Sequence, residues 1–173
     1  LFGHWWHEGP QWLAAVLREL PAAGVRVTTL RNVRELAQDS VEMGSGSWGS
    51  GKDWRVWDGE QVADIVADQR RTTDVALATL RRELATDRHA RRPVLDQLLR
   101  ELLLGLSSDW AFMVTKDSAA QYARARSEMH LDCAREIAGL VDSGDMRAAA
   151  AAAERMRTRD YAFGGLDARV LDL

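Results

Sequence analysis

Apolar residues recur at helical spacing through most of the chain beyond residue 60. The pattern predicts four long helices, which we expect to begin at residues able to cap or open a helix, namely Asp58, Pro93, Ser118 and Asp145. The second of these helices is rich in leucine, and we predict that it forms the centre of a bundle. We expect the Arg, Asp and Glu faces of the long helices to be solvated surface, and the tail Tyr161–Leu173 to be an irregular strap that returns onto the body.

The first 43 residues follow a different pattern. Leu1–Trp6 is predicted to be the buried end of a strand, and an amphipathic helix follows from Pro10 to Pro21. The segment Val25–Leu30 alternates and is rich in β-branched residues, so it is predicted to be a strand, and Asn32 is expected to cap a short helix. This order is typical of a parallel α/β sheet or barrel of which only the last unit is present. Because the sequence begins without Met inside an apolar motif, we expect that an upstream part is missing.

Between these two regions lies a loop, residues 44–59, that combines glycine and serine with three tryptophans, Trp48, Trp54 and Trp57. Gly and Ser permit unusual turns, whereas a plain linker of this composition carries no indole. A large flat apolar ring is unfavourable in water, so each indole is expected to have a partner. The partner is either the core of the chain or a ligand, and a pyranose ring fits because its C–H face lies flat on an indole.

Composition narrows the classes of partner. The 23 Lys and Arg residues nearly balance the 26 Asp and Glu residues, giving a net charge of −3, which favours neither nucleic acid nor an anionic membrane. No apolar run approaches the roughly 20 residues of a membrane span. The single Cys133 cannot form an internal disulfide and is expected to be a buried, inert thiol in a reducing, cytoplasmic setting.

The amino-terminal segment LFGHWWHEGP contains His4, His7 and Glu8 within five positions. The order of these residues departs from the zinc-binding patterns, in which Glu directly follows the first His or precedes the second. We therefore predict no metal here. His4 either binds a sugar hydroxyl, orients a nearby carboxylate or is structural, and Trp5 and Trp12 are expected to lie in the core.

Three further positions are candidates for ligand contact. Trp48 and Trp57 are hard to explain as core residues, while Trp54 between them is expected to be structural. Asp109 follows a leucine-rich helix, so its carboxylate is expected near or inside the core, where it either caps a helix or contacts substrate. Glycoside chemistry needs two carboxylates that flank the bond, and outside the helix faces the sequence offers no such pair.

Three blocks in this order, LFGHWWHEGP, GSWGSG followed by Trp57, and SSDWAF, resemble the carboxy-terminal part of the 1,4-α-glucan branching enzymes of glycoside hydrolase family 57. The later segments ARSEMHLD and FGGLDARVL are also similar to that ending, so the resemblance covers nearly the whole chain. It implies an incomplete (β/α)₇ barrel followed by a helical domain. It also implies a retaining transfer of an α-1,4-glucan segment to a 6-hydroxyl, with the nucleophile and the acid/base both upstream of Leu1.

The resemblance assigns roles position by position. It implies that Trp48 and Trp57 line the glucan cleft, that Asp109 contacts substrate, and that His4 and Trp5 lie beneath the acid/base. Gly46 stands where the family usually has serine, and Lys52 and Asp53 replace a glycine-rich continuation, so the shape of the loop is expected to differ.

The sequence therefore predicts a mainly α chain: the end of a barrel in residues 1–43, a substrate loop in residues 44–59 and a helical domain in residues 60–173. The expected function is to complete the glucan cleft of a branching enzyme, with the remainder of the barrel as partner and without cofactor or metal. A family 57 α-amylase or 4-α-glucanotransferase is one alternative. A non-catalytic glucan-binding or helical interaction module is another.

Overall fold

The computed structural model describes residues 7–36, 39–44 and 46–171, and the regular structure in these ranges is helical. Two units are distinguished, Leu1–Gly44 and Ser45–Leu173. Short 3₁₀ turns cover Arg34–Leu36, Ser50–Lys52, Glu60–Val62 and Ala168–Val170. The α-helices are α1 (Gly9–Ala22), α2 (Leu30–Val33), α3 (Arg55–Asp58), α4 (Ala63–Thr86), α5 (Pro93–Gly105), α6 (Ser108–Thr115), α7 (Ala120–Asp142) and α8 (Met146–Arg159).

In the first unit the helix predicted from Pro10 to Pro21 is present, and the strand predicted at Val25–Leu30 is not. The strand end predicted at Leu1–Trp6 lies outside the described residues. Helix α1 has Pro10 in its first turn and ends before Gly24, which takes a positive φ of 80°. Residues 25–29 carry no regular structure, although they have the composition of a strand. A strand is stable only when a neighbouring strand satisfies its N–H and C=O groups, and the described part of this unit has none. Helix α2 is capped by Thr29, not by Asn32.

The apolar residues of this first unit are largely exposed. Trp12, which we expected in the core, is 49% exposed, and Leu17 and Leu30 are also exposed. Among the described residues of this unit, only Gly9 is buried. A segment of about 40 residues is too small to enclose a core by itself. Most of its large apolar side chains are therefore exposed within the part of the unit that the structure describes.

The second unit has a core formed by α4, α5, α7 and α8. Helix α5 lies at the centre, as predicted, because all residues from Val94 to Leu102 are buried. Helix α8 contributes mainly alanines, whose small side chains allow close approach. Cys133 is buried, and burial raises the pKa of its thiol, in agreement with an inert role. None of the described helices is both long enough and apolar enough to cross a bilayer.

The prediction that the charged faces are solvated is wrong for α5. Its polar side chains Asp96, Gln97, Arg100 and Glu101 are at most 4% exposed. Buried polar groups need partners. Asp96, Arg100 and Glu101 bond to other parts of the unit, whereas Gln97 bonds to Glu101 within α5. Sequence periodicity identified the leucine stripe but gave no sign that the opposite face is covered as well.

Part of that cover is the carboxy-terminal strap, residues 160–171, which returns onto the body as predicted. Arg100 donates to the carbonyl of Ala162 at 2.6 Å, and Arg91 donates to the carbonyl of Leu166 at 2.7 Å. Asp96 accepts the backbone N–H of Ala168 at 2.8 Å. Side chains of α5 and of the turn before it thus satisfy backbone groups that regular secondary structure would otherwise satisfy.

Two of the four predicted helix starts are confirmed. Pro93 opens α5, and the Asp145 carboxylate accepts the N–H of Ala148 at the start of α8. Asp58 instead lies inside α3, and α4 starts at Ala63 without a side-chain cap. Ser118 does not cap α7, because that helix begins at Ala120.

The contact between α5 and α7 provides a test of this packing. A Cβ at Gly105 would lie 2.6 Å from Cδ2 of the buried Leu131, whereas a Cβ at Gly139 would meet nothing within 4 Å. We expect Gly105→Ala to lower the free energy of unfolding by about 1–3 kcal/mol through overpacking. The matched change Gly139→Ala is expected to raise it by about 0.5–1 kcal/mol, because alanine is the better helix former. Urea denaturation measures both, and equal effects at the two sites would contradict the packing.

Candidate functional site

The tryptophan-bearing loop is shaped by local hydrogen bonds. The N–H of Ser47 donates to the carbonyl of Lys52 at 3.2 Å, and the N–H of Lys52 donates to the carbonyl of Gly49 at 3.1 Å. Gly51 and Lys52 both take positive φ values, 77° and 56°. The turn therefore closes on itself, with a non-glycine residue in the left-handed region at the position where the resemblance led us to expect glycine.

Asp53, the second departure from the family pattern, stabilises the following turn. Its carboxylate accepts the backbone N–H of Arg55 at 3.1 Å and the Arg55 Nε at 2.7 and 2.9 Å. These bonds lower the pKa of the Asp53 carboxyl below its ordinary value. Asp53 thus helps to start the short helix α3, which carries Trp57.

Two hydrogen bonds attach helix α3 to α6, and a third joins the loop to the residue after α6. Trp57 Nε1 donates to the carbonyl of Ser108 at 3.1 Å, and Thr115 Oγ1 donates to the carbonyl of Val56 at 2.8 Å. Lys116 Nζ reaches Ser50 Oγ at 2.5 Å. The loop is therefore fixed at both ends of α6, which limits its movement despite its glycine content.

The three indoles of the loop border one open depression of about 450 Å³. It is lined by Gly46, Ser47, Trp48, Trp54, Trp57 and Ser108. The structure thus brings together the two tryptophans that we predicted as ligand contacts. It also puts Trp54 on the same surface, which the sequence interpretation had assigned to a structural role alone. The signal that points to Trp54 is its place in the same short loop as the other two indoles.

The indole rings of Trp48 and Trp57 differ in their solvent exposure. Trp48 is 75% exposed and contacts Phe112, with ring centroids 5.5 Å apart. Trp57 is partly buried and stacks on the same Phe112 at 6.4 Å, with 26° between the planes. Phe112 therefore supports both indoles from one side, and this leaves apolar ring surface facing the depression.

Asp109 lies elsewhere than we expected. Its carboxylate is exposed and not in the core, because Asp109 occupies the first turn of α6. Ser107 is the residue that caps this helix, and its hydroxyl also approaches Asp109 Oδ2 at 3.1 Å. Asp109 is adjacent to Ser108 on the rim but does not line the depression itself. The other two predicted site residues, His4 and Trp5, lie outside the described residues.

One buried group within the described chain has the composition of a metal site. Glu101, His130 and Asp160 place one ligand atom each within 4.8 Å of one another. Arg126 Nη2 lies 3.0 Å from His130 Nε2 and 3.3 Å from Asp160 Oδ1. The guanidinium already supplies a positive charge between two of the ligand atoms, so a metal ion would have to displace it. The residues do not fit a metal.

The position of Trp57 depends on the absence of a side chain at Gly49. A Cβ there would lie 2.7 Å from Val56 Cγ2 and 2.9 Å from the Trp57 ring. We expect Gly49→Ala to displace the Trp57 indole. The tryptophan emission maximum should then shift to longer wavelength, because the ring becomes more exposed to solvent. The matched change Gly46→Ala places its Cβ 3.8 Å from the nearest atom, the Lys52 carbonyl oxygen, so its emission spectrum should match that of the parent protein. An unshifted spectrum for Gly49→Ala would contradict this packing.

Comparison with known proteins gives a consistent result. Residues 69–171 match the family described as 1,4-alpha-glucan branching enzyme, C-terminal. The chain is 51% identical over 178 residues to a probable 1,4-alpha-glucan branching enzyme of Mycobacterium tuberculosis, an alignment that covers 99% of this chain and 34% of that protein. It is 38% identical over 133 residues to a 1,4-alpha-glucan branching enzyme of Thermococcus kodakarensis, covering 75% of this chain and 20% of that protein.

Solved structures agree in fold. A GH57-type branching enzyme from Pyrococcus horikoshii superimposes with a TM-score of 0.66 at 26% identity, over 99% of this chain and 33% of that one. A GH57 branching enzyme from Thermococcus kodakaraensis, in complex with glucose and additives, gives 0.67 at 29% identity, over 99% and 32%. The chain spans about a third of the length of these two structures. It belongs to the family of C-terminal regions of 1,4-alpha-glucan branching enzymes.

Proposed function

We propose that the protein acts in the transfer of an α-1,4-glucan segment to a 6-hydroxyl of an acceptor glucan. In this proposal the chain supplies part of the wall of the glucan cleft. The observation that carries the proposal is the depression bordered by three indoles on a loop fixed to α6. Family membership makes branching the favoured reaction among those that act on α-1,4-glucans.

Trp48 and Trp57 serve in this proposal as stacking platforms for pyranose rings. Each presents apolar ring surface, and a pyranose that covers about 100 Å² of it would gain roughly 1–3 kcal/mol. The exposed Asp109 carboxylate beside Ser108 is able to accept hydrogen bonds from sugar hydroxyls. His4 and Trp5 complete the proposed set as residues beneath the acid/base.

The rest of the catalytic barrel is the proposed partner of residues 1–43. The first unit leaves several large apolar side chains exposed, among them Leu17 and Leu30, and clustered exposed apolar side chains are typical of an interaction surface. Burial against further barrel elements would cover these side chains. Those elements would also supply the two carboxylates that a glycosyl transfer with retention of the anomeric configuration requires. The buried thiol of Cys133 is compatible with the cytoplasmic location that we propose.

The branching activity itself is tested with amylose. The assay uses the protein in which this chain is joined to the proposed barrel elements, because those elements carry the two carboxylates. After incubation with that protein and then with a debranching enzyme, we expect short linear chains that arise from new α-1,6 linkages. A product without α-1,6 linkages but with altered chain lengths would favour a 4-α-glucanotransferase, and one with only shortened chains and new reducing ends would favour a hydrolase. A protein that binds maltoheptaose but leaves amylose unchanged would fit a glucan-binding module.

The role of the indoles is tested by binding. We expect Trp48→Ala to weaken maltoheptaose binding by about tenfold, which corresponds to a loss of about 1.4 kcal/mol. Trp48→Phe should retain part of the affinity, because a smaller aromatic face remains. The control is Tyr161→Ala, which removes an exposed aromatic residue that does not line the depression, and its affinity should be unchanged. Isothermal titration calorimetry measures all three, and wild-type affinity in Trp48→Ala would refute the stacking role.

A further inference from the structure

A group of polar side chains is completely buried between α5 and α7. Gln97, Glu101 and His130 each have no exposed surface. Glu101 Oε1 accepts from Gln97 Nε2 at 2.8 Å, and Glu101 Oε2 lies 2.7 Å from His130 Nδ1. Burying such groups costs free energy unless each of them is hydrogen-bonded. The hydrogen bonds between these side chains therefore favour one relative position of α5 and α7.

The hydrogen bonds define the state of the imidazole. Arginine has only donors, so Arg126 Nη2, 3.0 Å from His130 Nε2, makes that nitrogen an acceptor. The proton of the neutral ring therefore lies on Nδ1 and is donated to the Glu101 carboxylate. Both ring nitrogens are engaged, and the plane of the imidazole is fixed.

Trp110 packs on this fixed ring. The two rings are stacked, with centroids 6.5 Å apart and planes 23° from parallel. Trp110 also meets Tyr122 edge-on at 6.4 Å and donates from Nε1 to the carbonyl of Leu104 at 2.7 Å. The indole is thus held by α5 and α7 together.

Trp110 lies in the first turn of α6, two residues after Ser108. The carbonyl of Ser108 accepts the Nε1–H of Trp57 at 3.1 Å. A short series of contacts therefore leads from the buried carboxylate to the depression, through His130, Trp110 and Ser108.

We propose that Glu101, His130 and Trp110 are positioning residues for the indole surface, since they fix the start of α6 and, through the Ser108 carbonyl, the Trp57 ring. The proposal rests on the proposed function of that surface in glucan binding. It gives the SSDW block two roles, with Asp109 exposed on the rim and Trp110 packed inward. Trp110 touches no glucan in this arrangement.

The test compares two variants that both lose buried apolar contacts. Trp110→Leu removes the ring that packs on His130, whereas Val141→Ala creates a cavity in the main core and leaves α6 unaltered. We expect both to lower the urea midpoint. Only Trp110→Leu should weaken maltoheptaose binding, by about five- to tenfold, while Val141→Ala stays within twofold of the parent protein. Trp110→Phe should recover part of the affinity, because a ring again packs on His130.

Two further measurements separate the outcomes. Imidazole ¹⁵N chemical shifts should report His130 as the neutral Nδ1–H tautomer, and an Nε2–H tautomer would overturn the hydrogen-bond assignment and the proposal with it. Trp57→Ala should weaken binding directly. If Trp57→Ala weakens binding but Trp110→Leu behaves like Val141→Ala, positioning is refuted and the proposed function stands. If Trp57→Ala binds normally, the positioning proposal and the stacking role of Trp57 are both refuted, while the amylose assay still decides the branching reaction.

Discussion

The complete burial of residues Val94 to Leu102 in α5 is the constraint on which the second unit depends. A helix in that position cannot leave any polar side chain to water, yet this one carries Asp96, Gln97, Arg100 and Glu101. Each therefore requires a hydrogen-bond partner, and Gln97 finds its partner in Glu101 within α5 itself. Asp96 and Arg100 bond to the backbone of the strap, while Glu101 bonds to α7. The polar residues of one helix thus determine where its neighbours can lie.

The same constraint connects the core to the surface with the indoles. The loop that carries them has few buried side chains, and Val56 is the main one in α3. Its position comes from α6, through the bonds of Trp57 and Thr115 to backbone carbonyls. Helix α6 in turn follows α5 directly and packs on α7. A glycine-rich loop held on a rigid scaffold is suited to binding. The loop can adopt unusual turns, and the helices below it hold its side chains in fixed positions.

Sequence reasoning succeeded where one local signal determined the outcome. Helix α5 was predictable from leucines at helical spacing, and the start of α8 from Asp145. It failed where the structure depends on contacts between residues that are far apart in the sequence. The segment 25–29 has strand composition, but a strand needs neighbours. Asp109 follows an apolar helix, yet the cap at Ser107 turns the chain so that its carboxylate is exposed. The buried pair Glu101 and His130 is 29 residues apart, and no spacing rule indicates it.

The environment of Cys133 has a practical consequence for the study of the loop. Burial raises the pKa of its thiol, so little reactive thiolate is present near neutral pH. A maleimide reagent would therefore react slowly with the native protein. A cysteine introduced at the exposed position of Gly46 would be modified much faster, and a fluorophore could be attached beside the depression without first removing the natural thiol.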